Sequence, residues 1–402
     1  MTMMETTMKD SIRVPGFSGS AVASGIKNGE SKDLALIFSE VPARATGVFT
    51  TNRFKAAPVI LDMERIKQGM AQAVVVNSGN ANAATGTEGD ADAATMSKVV
   101  SEALGIEDRF TLVASTGIIG EKLPIEKIVS SIRPLVDGLS ADGLASFAEG
   151  IITTDRFLKI EHQKCSIAGK EVTICGIAKG AGMIEPNMAT MLSFVLTDAD
   201  IEYACLTRIF REAADRSLNA MTVDGCMSTN DTAIMLANGV AGNDSMGETS
   251  EDLPAFREAL LTVMDSLARS IVKDGEGATK LIEIIVEEAK TVEDAKKIAY
   301  AIANSNLVKT AFFGEDPNWG RIISAAGSTG IPFSTDALEL YIENMPLFMH
   351  GMGTSGKQEA AGIMKKDTIR VLVRLGMGSE TFRVYTSDLS HEYVNINALY
   401  HS

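Results

Sequence analysis

One threonine in this chain stands where it could become a nucleophile. Thr190 follows KGAGMIEPNMA, a stretch with several glycines and a proline, and precedes the apolar run MLSFVL. The four residues on either side of it include no histidine, lysine or carboxylate that could accept the hydroxyl proton. A threonine in this situation can use its own α-amine as the base, once the chain has been cut just before it.

The same hydroxyl can make the cut. It attacks the carbonyl of Ala189, the peptide rearranges to an ester, and water releases Thr190 as a new N-terminus. A free α-amine has a reference pKa of about 7.7–8.0, so it accepts a proton near neutral pH. The glycines and the proline before Ala189 favour the strained backbone that this attack needs. Taken alone, a β-branched threonine before an apolar run is far more often an ordinary strand residue.

Alternating strands and helices are predicted to position this threonine. Short apolar or alternating runs predict strands at residues 33–38, 47–51, 57–61, 73–77, 111–116, 170–180, 281–287, 337–343 and 368–375. Helical periodicity is found at residues 90–104, 124–147, 201–218 and 292–305. Residues 78–86 form a loop of small polar residues between a strand and a helix. This order predicts an α/β fold of layered sheets and helices.

The composition limits the partners. The chain has 402 residues, enough to bury a core without a metal or a disulfide. Its net charge of −15 argues against nucleic acid or an anionic membrane as a partner. The N-terminus lacks a secretory signal pattern, and no apolar run has membrane-spanning length. The four cysteines form no C-x-x-C pair, so we expect reduced, buried thiols in a cytoplasmic protein.

Nucleotide and metal motifs are incomplete. Residues 351–357, GMGTSGK, have the spacing of a phosphate loop, but Gln358 stands where a hydroxyl should hold magnesium. A flexible surface loop is the better interpretation. His391 and Glu392 begin like a zinc-protease helix, but Asn395 occupies the position of the second histidine. We therefore expect no metal and no bound cofactor.

Several separated motifs occur in the order of one known family. They are DLALIFSEVPARATGVFTTN, VVVNSGNANAATG, STGIIG, TTD at residues 153–155, KGAGMIEPNMATML around Thr190, DGEGATK, NSNLVKTAFFGEDPNWGRI and the terminal YVNINALYHS. Over nearly the whole chain this pattern resembles the glutamate N-acetyltransferase (ornithine acetyltransferase) family. One departure follows TTD. The family has a threonine there and then a proline before the lysine, whereas this chain reads RFL before Lys159. The departure concerns the loop's shape and spares Thr153.

The resemblance implies a reaction and an architecture. Such enzymes transfer an acetyl group from N-acetylornithine to glutamate in the cyclic arginine pathway, and some also use acetyl-CoA. The implied body is a self-cleaved α/β fold, of the type shared with self-processing aminopeptidases. Residues 1–189 would form an α chain and residues 190–402 a β chain, intertwined and assembled as a heterotetramer of two α and two β chains. The reaction would be ping-pong, through an acetyl-Thr190 intermediate.

The resemblance also assigns residues. Thr116 and Gly117 match the oxyanion hole, and substrate contacts fall on Thr153, Lys179, Thr190, Glu276, Asn397 and Ser402. Lys179 suits an α-carboxylate, and Glu276 suits the cationic end of ornithine. For residues 78–86 two roles stay open: an anion site at the start of a helix, or a simple turn.

Two other functions remain as alternatives. A self-processed aminopeptidase or amidase would share the nucleophile but use water as the acceptor, so its turnover would not depend on glutamate. A metabolite-binding or assembly protein would never cleave, and the intact mass of the purified chain would reveal it.

Overall fold

The structure, a computed structural model, describes residues 12–185 and 191–399. The predicted cleavage site between Ala189 and Thr190, and the predicted substrate contact Ser402, lie outside the described residues.

The elements follow in chain order. The strands are β1 (Phe17–Val22), β2 (Leu34–Phe49), β3 (Met70–Asn80), β4 (Thr111–Ile118), β5 (Lys159–Ile167), β6 (Lys170–Lys179), β7 (Leu192–Thr197), β8 (Thr232–Ala237), β9 (Leu281–Ala289), β10 (Glu339–Ile342), β11 (Met345–Met349), β12 (Met352–Gly353), β13 (Thr368–Arg374) and β14 (Glu380–Ser387). The helices are α1 (Ala57–Arg65), α2 (Gly86–Leu104), α3 (Ile125–Asp137), α4 (Leu144–Ile151), α5 (Tyr203–Arg216), α6 (Leu253–Lys273), α7 (Val292–Ala303), α8 (Asn306–Phe313), α9 (Trp319–Gly327), α10 (Lys357–Ile363) and α11 (His391–Leu399).

The first sheet has the order β4-β3-β2-β8-β7-β6-β5, and β1 pairs with β2. Within it β3 and β4 run parallel, as do β7 and β8, and the other pairs are antiparallel. Helices α5 and α6 pack on β6 to β8, and α2 and α3 pack on β2 to β4. Strands β7 and β8 are buried over their whole length, as expected for strands covered on both faces.

The second sheet has the order β12-β11-β10-β13-β9-β14. One face packs against α7, α8, α9 and α10. In β13, Ile369, Val371 and Val373 are buried while their neighbours are more exposed, the alternation of a half-covered strand. Leu281 and Tyr385, from β9 and β14, belong to the core that covers the first sheet. The two sheets therefore share apolar packing and form one body.

The α/β class with layered sheets and helices is confirmed, and three local predictions are wrong. Residues 57–61 form the start of α1 rather than a strand, because Pro58 occupies the first helical turn, where its missing N–H costs nothing. The two strands predicted at residues 33–38 and 47–51 are parts of one long strand, β2, which begins at Leu34 and ends at Phe49. Residues 124–147 contain two helices, α3 and the start of α4, with Gly138 and Gly143 in the turn between them.

Other predictions have mixed outcomes. The segment 351–357 is not merely a loop, since it contains β12 and the first residue of α10. Cys175 and Cys205 are buried as expected, whereas Cys226 is exposed. No helix within residues 12–185 and 191–399 is long and apolar enough to cross a membrane. Across the same residues no group of three or more His, Cys, Asp or Glu side chains could hold a metal ion.

Candidate active site

One cavity, of about 90 Å³, brings together the predicted site residues that the structure describes. A cavity needs a volume of about 10–15 Å³ to hold a single water, so this one has room for a ligand of several non-hydrogen atoms. The predicted residues in its lining are Thr116, Gly117, Thr153, Lys179, Glu276 and Asn397. The sequence did not single out the others, which are Ala81, Ile119, Thr154, Gly182, Met183, Ser228, Thr229 and Asn230.

The predicted oxyanion residues lie near the end of β4. There β4 runs parallel to β3, with Thr116 opposite Ser78 and Gly117 opposite Gly79. Gly117 has a φ of +137°, which side-chain-bearing residues rarely adopt, and a Cβ there would collide with the backbone of Gly79. Position 117 therefore requires glycine.

Lys179, the last residue of β6, connects two hydroxyls. Its Nζ donates to Thr116 Oγ1 at 3.1 Å and to Thr153 Oγ1 at 2.9 Å. Because an ammonium group only donates, both hydroxyls accept from it and keep their own hydrogens for another acceptor. A hydroxyl polarised by a cation is well suited to donate to a developing oxyanion. The arrangement therefore suits the role predicted for Thr116.

The charge of Lys179 is balanced by nearby carboxylates. The residue is 3% exposed, and burial lowers the pKa of its amine below the ordinary value. Asp155, Glu276 and Asp231 act against burial and raise the pKa, while Lys159 lowers it further. The ammonium form thus depends on a surrounding set of acids, which a substrate carboxylate would reinforce.

A buried ion cluster connects the segments that carry these residues. Lys159 Nζ lies 2.6 Å from both Asp155 Oδ1 and Asp274 Oδ2, and none of the three side chains is exposed. Asp155 also accepts from the backbone N–H groups of Thr153 and Gly180. The cluster therefore joins the Thr153 loop, the end of β6 and the loop that leads to Glu276. Burial would raise the pKa of Asp155, but Lys179 and Lys159 outweigh it and hold that pKa at about 2.

The departure after TTD is accommodated by the same cluster. Arg156 donates to Asp274 through its backbone N–H at 3.0 Å and through its Nε at 3.0 Å. The Arg156 side chain thus anchors the loop on its outer side, and Thr153 keeps its place in the cavity.

Glu276 forms the acidic end of the cavity. Its Oε2 accepts from Asn397 Nδ2 at 2.8 Å, and its backbone N–H donates to Ala181 O at 2.8 Å. Ser390 Oγ donates to Gly277 O at 2.6 Å, so α11 is attached to the Glu276 loop at a second point. A ligand in the cavity thus faces a cation, Lys179, on one side and a carboxylate on another.

Sequence reasoning missed several residues around the site. Lys27 Nζ donates to Ile152 O at 2.6 Å, and burial lowers the pKa of its amine to about 8 despite the charge of Asp33. Nothing in the local sequence around Lys27 indicates this contact. Asp155 and Asp274 did carry a signal, since they belong to the TTD and DGEGATK motifs, although the prediction assigned them no role.

Similarity to known proteins extends over nearly the whole chain. The sequence profile of the ArgJ family matches residues 18–402. The arginine biosynthesis bifunctional protein ArgJ of Geobacter sulfurreducens is 51% identical over 391 residues, 97% of this chain and 100% of that protein. The protein of the same name from Caldanaerobacter subterraneus subsp. tengcongensis is 50% identical over 390 residues, 96% of each chain. A crystal structure of arginine biosynthesis bifunctional protein ArgJ from Bacillus halodurans has 38% sequence identity and a TM-score of 0.51, covering 52% of this chain and 100% of that one. This chain belongs to the ArgJ family.

Proposed function

We propose that this protein is an acetyltransferase of arginine biosynthesis that transfers acetyl from N-acetylornithine to glutamate. The observation that carries the proposal is the convergence of Thr116, Gly117, Thr153, Lys179, Glu276 and Asn397 on one cavity. Family membership and the name that relatives at 50–51% identity carry support the same reaction.

The charges of the cavity suit this donor. N-acetylornithine has an α-carboxylate, a neutral acetamide and a cationic side-chain amine. Lys179 would bind the carboxylate and Glu276 the amine, which leaves the acetamide near Thr116. Glutamate shares the α-carboxylate but has no cationic end, so we expect the two substrates to share Lys179 and to differ in their use of Glu276.

The nucleophile of this proposal is Thr190. Leu192 of β7 pairs with Lys179 of β6, and Thr190 precedes Leu192 by two residues in the sequence, which supports this proposal. After cleavage at Ala189, the α-amine of Thr190 would take the proton of its own hydroxyl. The oxygen attacks the acetyl carbonyl, and the oxyanion collapses as the ammonium group of Thr190 gives its proton to the departing amine of ornithine. The amine of glutamate then attacks the acetyl-Thr190 ester and loses a proton to the α-amine of Thr190. N-acetylglutamate leaves, and the proton returns to the Thr190 oxygen.

Cleavage would leave two intertwined chains, 1–189 and 190–402. Strands β6 and β7 flank the proposed cut and pair with each other in the first sheet, so the fragments would stay together. The solved Bacillus halodurans chain aligns over its whole length with 52% of this chain. A solved chain that corresponds to about half of this one supports a protein made of two chains. We extend the proposal to a heterotetramer of two α and two β chains in the cytoplasm. The bifunctional name of the relatives supports acetyl-CoA as a second acetyl donor, with no bound cofactor.

The test is a mass measurement on the purified protein. Wild-type protein should give two fragments on denaturation, and N-acetylornithine alone should add one acetyl group to the fragment that begins at Thr190. Thr190→Ala should stay uncut and unlabelled. Ser193→Ala is the matched control, because that hydroxyl lies on β7, is buried and has no hydrogen-bond partner among the described residues.

Three results would contradict the proposal. Fragments from Thr190→Ala would reject self-cleavage by this hydroxyl, and an active, uncut wild-type chain would reject the α-amine as the base. Turnover of N-acetylornithine at the same rate with and without glutamate would indicate an amidase instead.

A further inference from the structure

Two consecutive residues just before β8 contact the segment that carries the proposed oxyanion donors and the residue that follows the proposed nucleophile. Asn230 Nδ2 donates to Ala81 O at 2.6 Å and to Ser115 O at 2.8 Å. Asp231 Oδ1 accepts from the backbone N–H of Met191 at 3.2 Å. Asn230 thus reaches the strand that carries Thr116, and Asp231 reaches the residue that follows Thr190.

The amide of Asn230 is held in one orientation. Thr229 Oγ1 donates to Asn230 Oδ1 at 2.6 Å, which directs Nδ2 towards the two carbonyls. Ser115 immediately precedes Thr116, and Ala81 lines the cavity. Asn230 is only 6% exposed, so without its amide both carbonyls would lose a hydrogen bond at a buried position.

Asp231 is fully buried, and its Oδ2 has no hydrogen-bond partner among the described residues. Burial raises the pKa of this carboxyl well above its ordinary value, against the opposing effect of the Met191 N–H. A polar atom left unpaired in the interior is unfavourable for stability. The backbone of Asp231 is fixed by a separate hydrogen bond, because Asp231 O accepts from Thr50 N–H at 3.0 Å. The side chain therefore holds Met191 against a fixed point.

We infer that Asn230 and Asp231 are positioning residues that set the distance between the oxyanion donors at Thr116–Gly117 and the hydroxyl of Thr190, both in self-cleavage and in acetyl transfer. The inference rests on the proposed function. Reacting atoms must lie about 3–3.5 Å apart, and a misplacement of about 1 Å can reduce a rate by about 100-fold. Contacts from two adjacent residues, just before β8, would provide that accuracy.

The first experiment compares Asn230→Ala with Asn243→Ala. Asn243 is the matched control, because it is 7% exposed and its Nδ2 donates to two carbonyls, Asp200 O at 3.0 Å and Asp244 O at 2.7 Å. It follows the opposite end of β8. Both variants should lower the melting temperature similarly. Only Asn230→Ala should lose about 100-fold in kcat per cleaved chain, with an unchanged KM for N-acetylornithine, or fail to cleave.

Two outcomes would overturn the inference for Asn230. One is cleavage and kcat of Asn230→Ala at the wild-type level, and the other is an equal loss of kcat in both variants. If Asn230→Ala does not fold, Thr229→Val removes the orienting hydrogen bond with little change of shape. It should lower kcat about tenfold, and a wild-type kcat in this variant would also overturn the inference.

The second experiment tests Asp231 by conservative rescue. Asp231→Asn keeps an oxygen that can accept from Met191 N–H, so its kcat should stay within a few-fold of wild type, whereas Asp231→Ala should lose about 100-fold. Equal loss in both variants would mean that the carboxyl acts through its charge rather than by positioning. A wild-type protein without acetyl transfer would instead reject the proposed function, so the two failures are distinguishable.

Discussion

The two sheets contribute to the cavity in different ways. Thr116, Gly117 and Lys179 lie on strands of the first sheet. Among the described lining residues none lies on a strand of the second sheet, which contributes only through flanking segments that carry Glu276 and Asn397. Strands β7 and β8 of the first sheet are buried throughout, whereas β9 and β13 alternate between buried and partly exposed residues.

This difference in strand burial shows in which sheet a polar side chain indicates a function. In a strand covered on both faces, a polar side chain is unfavourable unless it is paired, so buried groups such as Lys179 and Asp231 indicate a task. In a half-covered strand, polar side chains simply face water. We therefore expect substitutions at the first sheet's polar ends to affect catalysis, and comparable substitutions around the second sheet, away from the cavity, to affect stability alone.

The largest effect is expected from the ion cluster at the first sheet. Asp274→Asn leaves Lys159 with Asp155 as its one remaining carboxylate, and breaking a buried ion pair costs about 3–5 kcal/mol of unfolding free energy. The KM for N-acetylornithine should also rise, because Asp274 fixes the loop of Glu276. Chemical denaturation and steady-state kinetics measure both effects.

The matched control lies against the second sheet. Asp265 pairs with Arg383 of β14, but both side chains are partly exposed, at 20% and 34%. Asp265→Asn should cost about 1 kcal/mol or less, because solvent screens such a pair, and KM should not change. A cost equal to that of Asp274→Asn would remove the contrast between the sheets.

A pair of lysines gives the next test. Lys179 and Lys309 are each 3% exposed, but Lys309 donates to Thr386 Oγ1 at 2.9 Å on β14, outside the cavity lining. Lys179→Met should lower kcat/KM about 100-fold, as for the loss of one oxyanion donor, and should also lower the melting temperature, because Asp155 loses a nearby cation. Lys309→Met should lower the melting temperature alone and leave kcat/KM within about twofold of wild type. Equal losses of kcat/KM would contradict the assignment of the site to the first sheet.

Sequence motifs picked out residues that line one cavity, whereas periodicity did not predict the contacts that support them. Thr116, Lys179 and Glu276 come from separate motifs, and each alone has an ordinary structural explanation. Only their joint occurrence in one family's order placed them in a site. The contact between Asn230 and Ala81 joins residues 149 positions apart, so no local pattern reveals it.

The loop at residues 78–86 also shows that local sequence does not predict tertiary contacts. Its composition suggested a turn or an anion site, but in the structure its side chains bind backbone. Asn82 Nδ2 donates to Gly89 O at 2.9 Å, and Asn80 Nδ2 donates to Glu121 O at 3.2 Å beyond the end of β4. The loop thus supports the strand that carries Thr116. These partners depend on tertiary structure, which local sequence does not encode.

A change of pH is expected to have a smaller effect on the free energy of unfolding. The pKa of Asp155 is about 2 in the folded protein, against 3.8 as its ordinary value, so its ionised form stabilises the fold by about 2 kcal/mol. Because the folded pKa is the lower one, this contribution is complete above about pH 5 and is lost as the pH falls towards about 2. The difference in unfolding free energy between wild type and Asp155→Asn should be constant from about pH 5 to 7 and shrink below about pH 4. A difference that stayed constant down to pH 2 would show that Asp155 stabilises the fold without its charge.

The smallest effect should come from Glu276→Gln, which keeps an oxygen for Asn397 but removes the charge. The KM for N-acetylornithine should rise about tenfold, since the cationic amine loses a charged partner worth about 1.5 kcal/mol. The KM for glutamate should not change, because glutamate has no cation to place there. Glu283→Gln, on β9 of the second sheet, should change neither value. If Glu276→Gln raised both KM values equally, Glu276 would support its loop rather than bind the cationic amine. The acidic end of the cavity would then stabilise the structure and would not be part of the substrate site.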